Sequence, residues 1–197
     1  MKNLIRLPHP DVLKKRVRAL AMLDALLVPD VHERQFGYQA CWHVDDELAF
    51  MNSPDYDKWF VMFSDEVVLI KGADYQHKVL EVDLPPFDDP LVREFWSSPP
   101  CETMYTSFGF EYRDGEWRSL VPPVEGSLSL LDSWFVSAGE YAQWLMQRHG
   151  HEVDPFSVAH LFDGKPISPI WLTRYFPYSK WQQQPADWLQ IDYPFIH

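Results

Sequence analysis

The chain has 197 residues, of which 46% are hydrophobic, 23% charged and 16% aromatic, and its formal net charge at pH 7 is −12. This composition excludes a wholly disordered chain, and the length suits one domain with a substantial core. No apolar run approaches the roughly 18 residues that a membrane-spanning helix needs, so we expect no membrane association.

The charge is unevenly distributed along the chain. Residues 1–20 hold six cations and one carboxylate, a net +5, whereas residues 41–100 hold thirteen carboxylates and four cations, a net −9. A broadly acidic surface repels phosphate backbones and attracts basic proteins. We therefore expect a protein partner and no nucleic acid.

The cysteine content and the N-terminus predict the compartment. Cys41 and Cys101 lie far apart and form no Cys-x-x-Cys motif, which is typical of a reducing environment. Residues 1–6 contain too few apolar residues for a signal peptide. Together these features predict a cytoplasmic protein.

The first predicted element is a helix from Asp11 to Leu27, with Asp11 as its N-cap and Pro29 beyond its end. Its apolar residues recur every three or four positions, as expected for one buried helical face. They are Leu13, Val17, Leu20, Leu23 and Leu27.

Strand patterns follow this helix. Residues 37–44 and 47–51 predict two strands or one bent strand. Trp59–Phe63 and Val67–Ile70 are apolar at successive positions, which is typical of a hairpin in the middle of a sheet that is covered on both faces. A proline-rich crossing, Leu84–Pro90, then leads into a short helix near Leu91–Trp96.

A second hairpin is predicted from Thr106 to Leu120. Alternating apolar residues fill its first strand, and Asp114-Gly115 is a strong signal for a two-residue turn. With the strands above, this hairpin predicts a central antiparallel sheet of about four to six strands.

The last third of the chain predicts a cluster of short helices. Ser137 and Glu140 form a capping box for a helix that ends at Gly150. Asp154-Pro155 and Ser168-Pro169 begin two further helices. The segment 177–197, rich in proline and aromatic residues, predicts an extended C-terminal strap. The order helix, sheet, helices predicts a single α+β domain over residues 1–197.

Motifs for catalysis and cofactor binding are missing. With 8 glycines and no Gly-x-Gly-x-x-Gly or Gly-Lys-Ser/Thr run, we predict no nucleotide cofactor. Cys41 and His43 lie two apart on a predicted strand, so they would share one face and form a nucleophile pair or part of a zinc site. A buried strand cysteine is more often a packing residue, and no further ligand is apparent. We therefore assign no catalytic or metal-binding residue.

The acidic stretch from 45 to 57 is the candidate binding site. If it forms a loop between strands, it places fixed negative charge beside a tyrosine anchor, which suits a basic protein partner. A solvated surface loop is the alternative interpretation. The residues assigned to binding are Asp45, Asp46, Glu47, Asp55, Tyr56 and Asp57.

Three segments resemble a family of uncharacterised bacterial proteins. They are Arg18–Leu27 in the first helix, the strand Trp59–Phe63 with its continuation to Ile70-Lys-Gly72, and Leu161–Pro166. The resemblance spans most of the chain but rests on structural motifs of low specificity. Proteins of this kind resemble immunity proteins that neutralise bacterial toxins, so the resemblance implies a toxin as the partner and no catalytic residues.

These observations lead to one leading hypothesis and two alternatives. The leading hypothesis is a cytoplasmic protein-binding module, such as an immunity protein that neutralises a basic toxin domain by occlusion. The first alternative is a hydrolase that uses Cys41 and His43. The second is a structural subunit that interacts through the predicted strap.

Overall fold

A six-stranded antiparallel sheet forms the centre of the protein, with its strands in chain order from one edge to the other. The structure, a computed structural model, describes residues 7–43, 45–77, 87–102, 104–150, 152–183 and 185–196. The strands are β1 Phe36–Gln39, β2 Glu47–Asn52, β3 Lys58–Phe63, β4 Val68–Ala73, β5 Phe108–Arg113 and β6 Glu116–Val121. This confirms the predicted α+β fold with a central antiparallel sheet.

Helices cover both faces of this sheet. They are α1 Pro10–Leu27, α2 Pro90–Ser97, α3 Pro99–Glu102, α4 Ala138–His149, α5 Pro155–Phe162, α6 Pro169–Tyr175 and α7 Pro185–Ile191. Three 3₁₀ helices span Val31–Glu33, Ser127–Trp134 and Trp181–Gln183. The prolines that begin six of the seven helices lie where a backbone N–H has no helical partner, so they cost no hydrogen bond.

The two faces of the sheet bury separate clusters of apolar side chains. One face packs against α1 and the C-terminal helices, with Trp59, Ile70 and Phe108 among the rings and branched side chains in this larger core. The other face packs against α2 and α3, where Phe95 and Cys101 are fully buried. The central strands of the sheet are thus an inner layer, whereas the edge strand β6 is largely exposed.

The two predicted hairpins are present. Strands β3 and β4 are buried along almost their whole length because both faces are covered. The turn between β5 and β6 uses Asp114 with φ 55° and Gly115 with φ 85°, as a type I′ turn requires. Residues 37–44 do not form one strand, because β1 ends at Gln39 and a turn follows it.

The predicted helix starts agree with the structure except for the first. The capping box of Ser137 and Glu140 is formed at the start of α4, and Asp154 and Ser168 cap α5 and α6. Asp11 is not the N-cap of α1, since the helix begins one residue earlier and the side chain of His9 accepts from the Asp11 backbone N–H. A proline at the first helical position moves the cap to the residue before it.

The segment 177–197 is not an extended strap throughout. It contains the 3₁₀ helix Trp181–Gln183 and α7, and only the residues after α7 lie extended, where Ile167 and Phe195 form a parallel bridge. Pro185 lies at the first position of α7, where proline is tolerated. Residues 184 and 197, and residues 84–86 of the predicted crossing, lie outside the described residues.

Candidate functional site

The six residues predicted to bind a partner divide between opposite ends of the sheet. Asp45, Asp46 and Glu47 lie where β2 begins, and Asp55, Tyr56 and Asp57 lie in the turn after β2 ends. The six residues of β2 separate the two groups by roughly 17 Å, at about 3.4 Å per residue. The acidic stretch therefore forms two sites and not one patch.

At the first end, Glu47 is bound by side chains of the protein itself. Its carboxylate accepts from Lys14 Nζ at 2.5 Å, from Arg18 Nη2 at 2.8 Å and from the Tyr38 hydroxyl. Burial acts to raise the pKa of Glu47, but the hydrogen bonds from Lys14 and Tyr38 outweigh it and hold the pKa below its usual range. Glu47 thus anchors α1 to the sheet and contributes little free charge for a partner.

Cys41 and His43 occupy the turn after β1, and both are exposed. The expectation that they share the face of a strand is wrong, as is the expectation of a buried cysteine at position 41, because β1 ends at Gln39 before either residue. Neither side chain lines any of the five main cavities in the described part of the chain. Nothing in this geometry brings an orienting acid and a substrate cleft to the thiol.

At the second end, four loops lie side by side and form one surface. We call this the acidic loop surface and define it as residues 53–57, 74–77, 104–107 and 122–126. Three hydrogen bonds join the loops: Tyr75 N–H to Asp57 Oδ1 (2.8 Å), Asp74 N–H to Ser107 Oγ (2.9 Å) and Val124 N–H to Ser107 O (2.9 Å). Because each loop is tied to a neighbour, the surface is preorganised.

Two carboxylates of this surface are buried and structural. Asp57 is 6% exposed and Asp74 is 3% exposed. Burial raises the pKa of Asp57, and the nearby carboxylates Asp74 and Asp55 act in the same direction. Asp74 accepts from the backbone N–H groups of Gln76 and His77, and its second oxygen lies 2.8 Å from Nδ1 of His77. These two residues set the shapes of the loops.

The side chains that reach solvent from this surface include two rings and two carboxylates. Tyr56 is 73% exposed and Tyr105 is 55% exposed, and Asp55 and Glu125 are also exposed. The ring of Tyr105 is held edge-on by Tyr75, with the centroids 5.6 Å apart. Exposed rings that are fixed in place are typical anchors of protein interfaces.

The electrostatic character of the acidic loop surface is negative. The four loops carry Asp55, Asp57, Asp74 and Glu125 and contain no lysine or arginine, although Lys58 follows the first loop in β3. Carboxylates outnumber cations here even when Lys58 is included. Such a surface speeds the encounter with a cationic partner and opposes an anionic one.

Tyr56 adopts a backbone conformation that is costly for its residue type. Its φ is 70°, in the left-handed region that side chains other than glycine, asparagine and aspartate seldom occupy. The turn from Ser53 to Asp57 holds this conformation through Tyr56 N–H to Ser53 O (3.1 Å) and Ser53 N–H to Asp57 O (2.8 Å). Tyr56 is thus an exposed side chain on a strained but well-bonded turn.

Sequence reasoning identified Asp55, Tyr56 and Asp57 but missed the other half of the surface. Tyr105 and Glu125 lie about 50 and 70 positions further along the chain, and only the pairing of β4 with β5 and of β5 with β6 brings their loops together. The sequence signal that was available was the pair of loop tyrosines, Tyr75 and Tyr105, each at the end of a predicted strand.

Comparisons of the chain with protein-family models, with curated proteins and with solved structures find no match. Within the described ranges, no three His, Cys, Asp or Glu side chains are placed to hold a metal ion together. Among the helices of the described residues, none has the length and apolar character to cross a membrane. The geometry of the acidic loop surface is therefore the basis for a functional proposal.

Proposed function

We propose that the protein is a cytoplasmic protein-binding module that recognises a basic segment of a partner through the acidic loop surface. The observation that carries this proposal is the juxtaposition of exposed Tyr56 and Tyr105 with Asp55 and Glu125 on loops tied by hydrogen bonds. Rings that bury apolar area give affinity, and carboxylates around them give steering and register.

The resemblance to immunity proteins suggests what such a module does. An immunity protein needs no catalytic group, since it acts by covering the active surface of a toxin. Toxin domains that act on nucleic acids carry cationic surfaces to bind phosphates. An acidic, preorganised surface is complementary to such a domain, so we propose occlusion of a basic toxin domain as the mechanism.

The experiment uses the products of the genes adjacent to the gene of this protein. Each is co-expressed with the full chain, and complex formation is measured by size-exclusion chromatography and by calorimetry at low and at moderate salt. We expect one cationic product to form a stable complex whose affinity falls as salt is raised, because exposed charges are screened.

Variants of the two tyrosines test whether the partner binds at this surface or elsewhere on the molecule. Tyr56→Ala combined with Tyr105→Ala should weaken the complex by roughly 30-fold or more, the loss of about 2 kcal/mol that anchor residues give. Tyr178→Ala is the matched control, since Tyr178 is 84% exposed in the segment between α6 and α7. The proposal is wrong if no adjacent product binds at low salt, or if the control weakens binding as much as the double variant.

A further inference from the structure

The two edges of the sheet differ in how their outward backbone groups are bound. At the β1 edge, the carboxylate of Asp24 accepts from the Phe36 N–H at 2.8 Å. The N–H of Ala40, just beyond β1, donates to the Gln190 carbonyl at 2.9 Å, and α7 packs against this strand. At the opposite edge, β6 (Glu116–Val121) is mostly exposed, and within the described ranges no hydrogen bond reaches its backbone from outside the β5–β6 hairpin.

The turn that joins β5 to β6 determines which backbone groups of β6 point outward. Arg113 and Glu116 lie opposite each other and close a two-residue turn, so they form a hydrogen-bonded pair. Because hydrogen-bonded and non-hydrogen-bonded pairs alternate along an antiparallel ladder, Trp117 and Tyr112 form a non-hydrogen-bonded pair. The N–H and C=O of Trp117 therefore point away from β5, and so do those of Ser119. A strand from another molecule can pair with these groups.

Two side chains of opposite charge flank Trp117 on one face of β6. Glu116 and Arg118 are exposed, and neither forms an ion pair with a described residue. The side chains opposite them in β5, Arg113 and Glu111, contact each other at 2.7 Å. The edge thus presents a carboxylate and a guanidinium to a strand that pairs with it.

A second copy of β6 matches these charges in one register. Two identical strands that pair antiparallel are related by a twofold axis, which passes between one residue and its own copy. With Trp117 on the axis, the two Trp117 backbones exchange both hydrogen bonds, and Glu116 of each copy lies opposite Arg118 of the other. With Glu116 or Arg118 on the axis, like charges face each other, which is destabilising. With Ser119 on the axis, Arg118 lies opposite Leu120 and no opposite charges pair.

We propose that the protein forms a homodimer in which the two β6 strands pair antiparallel around Trp117, so that the two six-stranded sheets become one. The backbone hydrogen bonds give affinity, and the two pairs between Glu116 and Arg118 select the register and a second copy as the partner. The paired segment, 115–119, ends before residues 122–126 of the acidic loop surface. The inference goes beyond the proposed function and does not depend on it.

The association is measured by sedimentation equilibrium of the full chain from about 10 µM to 1 mM, since the pairing of one strand lies at the weak end of specific interfaces. We expect the wild type to show a reversible equilibrium between monomer and dimer. Hydrogen exchange at the two ends of this range locates the contact. The N–H groups of Trp117 and Ser119 should exchange more slowly at the higher concentration, because they become hydrogen-bonded only in the dimer.

Charge reversals test the register. Glu116→Arg alone or Arg118→Glu alone places like charges opposite each other at both pairs, so each should raise the dissociation constant of the dimer by about tenfold. An equimolar mixture of the two single variants restores both opposite-charge pairs in a heterodimer, and dimerisation should return. The double variant restores them within a homodimer and keeps the net charge of the wild type.

Lys180→Glu is the matched control, because it changes the net charge by the same amount as Arg118→Glu at an exposed position between α6 and α7. It should dimerise as the wild type does. Circular dichroism checks that each variant is folded. If one single reversal is not folded, the other single reversal and the double variant still test the register.

Any of three results would overturn the proposal. The first is a wild type that remains monomeric at the highest concentration, which would leave β6 without a second copy as its partner. The second is a dimer that neither single reversal weakens, which would place the contact elsewhere on the molecule. The third is a double variant that dimerises no better than the single reversals, which would exclude the register around Trp117.

Discussion

The carboxylate of Asp24, inside helix α1, accepts a hydrogen bond from the backbone N–H of Phe36 at the start of β1 (2.8 Å) and a second from Gln35 (2.7 Å). Asp24 is 1% exposed, and its other oxygen has no partner among the described residues. Burial raises the pKa of Asp24 to about 6, although the two backbone hydrogen bonds act against this shift. One buried carboxyl group therefore joins the first helix to the edge of the sheet.

This relationship predicts how stability depends on pH. The pKa of Asp24 is about 4 in the unfolded chain and about 6 in the folded protein. At pH values between these two, the folded state binds more protons than the unfolded state. The contribution of Asp24 to the free energy of unfolding is thus most favourable below pH 4. It falls by up to about 3 kcal/mol as the pH rises from 4 to 6.

Asp24→Asn should remove this pH dependence. An amide oxygen can accept both backbone N–H groups, so the fold is retained, and the variant should be the more stable protein at pH 7 by about 1–3 kcal/mol. Urea unfolding of both proteins at pH 4, 5, 6 and 7 measures the difference. A difference that does not change across this range would show that Asp24 is not protonated preferentially in the folded state.

Replacing Tyr56 by glycine should separate stability from binding. Glycine occupies a φ of 70° without a Cβ penalty, so Tyr56→Gly should leave the free energy of unfolding unchanged or raise it by up to about 1 kcal/mol. The same change removes an exposed ring and should weaken binding of the partner. Thermal unfolding and calorimetry measure the two effects.

Asp114→Gly is the matched control for this prediction. Asp114 also has a positive φ, 55°, but it lies in the turn between β5 and β6, at the end of the sheet opposite to the acidic loop surface. Because aspartate tolerates this region better than tyrosine does, Asp114→Gly should change stability less than Tyr56→Gly and should leave binding unchanged. If Tyr56→Gly binds as well as the wild type, the strained ring has no part in recognition.

The parts of the fold that follow from local signals could be predicted. Consecutive apolar residues predicted the burial of both faces of β3 and β4. Ser137 and Glu140 predicted the capping box of α4. In each case the physical cause, a covered strand or an unpaired backbone N–H, acts over only a few residues.

Only half of the candidate site could be predicted, because its contacts join residues that are far apart in the sequence. The sequence showed carboxylates at positions 47 and 57, but it did not show that Glu47 binds Lys14 and Arg18 or that Asp57 accepts from Tyr75. These contacts decide which carboxylates are structural and which are free. They depend on helix packing and strand register, which composition and periodicity do not determine.

Gly72 should be among the positions least tolerant of a methyl group. A Cβ there would lie 1.9 Å from the ring of Phe108, its neighbour across β4 and β5. Since Phe108 is fully buried, its ring cannot move into solvent. We expect Gly72→Ala to lower the free energy of unfolding by about 1–3 kcal/mol or more.

Gly139→Ala provides the opposite case for comparison. In α4 the new Cβ would meet only Ser137 Oγ, at 4.0 Å, and alanine favours helix more than glycine does. This variant should be more stable than the wild type by about 0.5–1 kcal/mol. Chemical denaturation of both variants tests the pair, and equal effects of the two substitutions would contradict the packing argument at Gly72.

Lys71 is a cation buried in the middle of the sheet. It lies in β4, is 2% exposed, and faces the smaller core, where its Nζ donates to the backbone carbonyl of Cys101 at 2.7 Å. The ammonium group also lies 5.7 Å from the ring centroid of Trp96. Burial lowers the pKa of Lys71 to about 8, because the charged form loses its hydration there.

Lys71→Met should therefore stabilise the protein at pH 7. Between the folded pKa of about 8 and the unfolded value of 10.5, the unfolded state binds more protons, so the cost of burying Lys71 is greatest below pH 8 and falls as pH rises. That cost is about 3 kcal/mol at pH 7, and the lost hydrogen bond to Cys101 offsets about 1–2 kcal/mol of the gain. We expect a net gain of about 1–2 kcal/mol at pH 7 that shrinks by pH 9.5, measured by urea unfolding of both proteins. A gain of the same size at both pH values would mean that better packing, and not removal of the charge, is its cause.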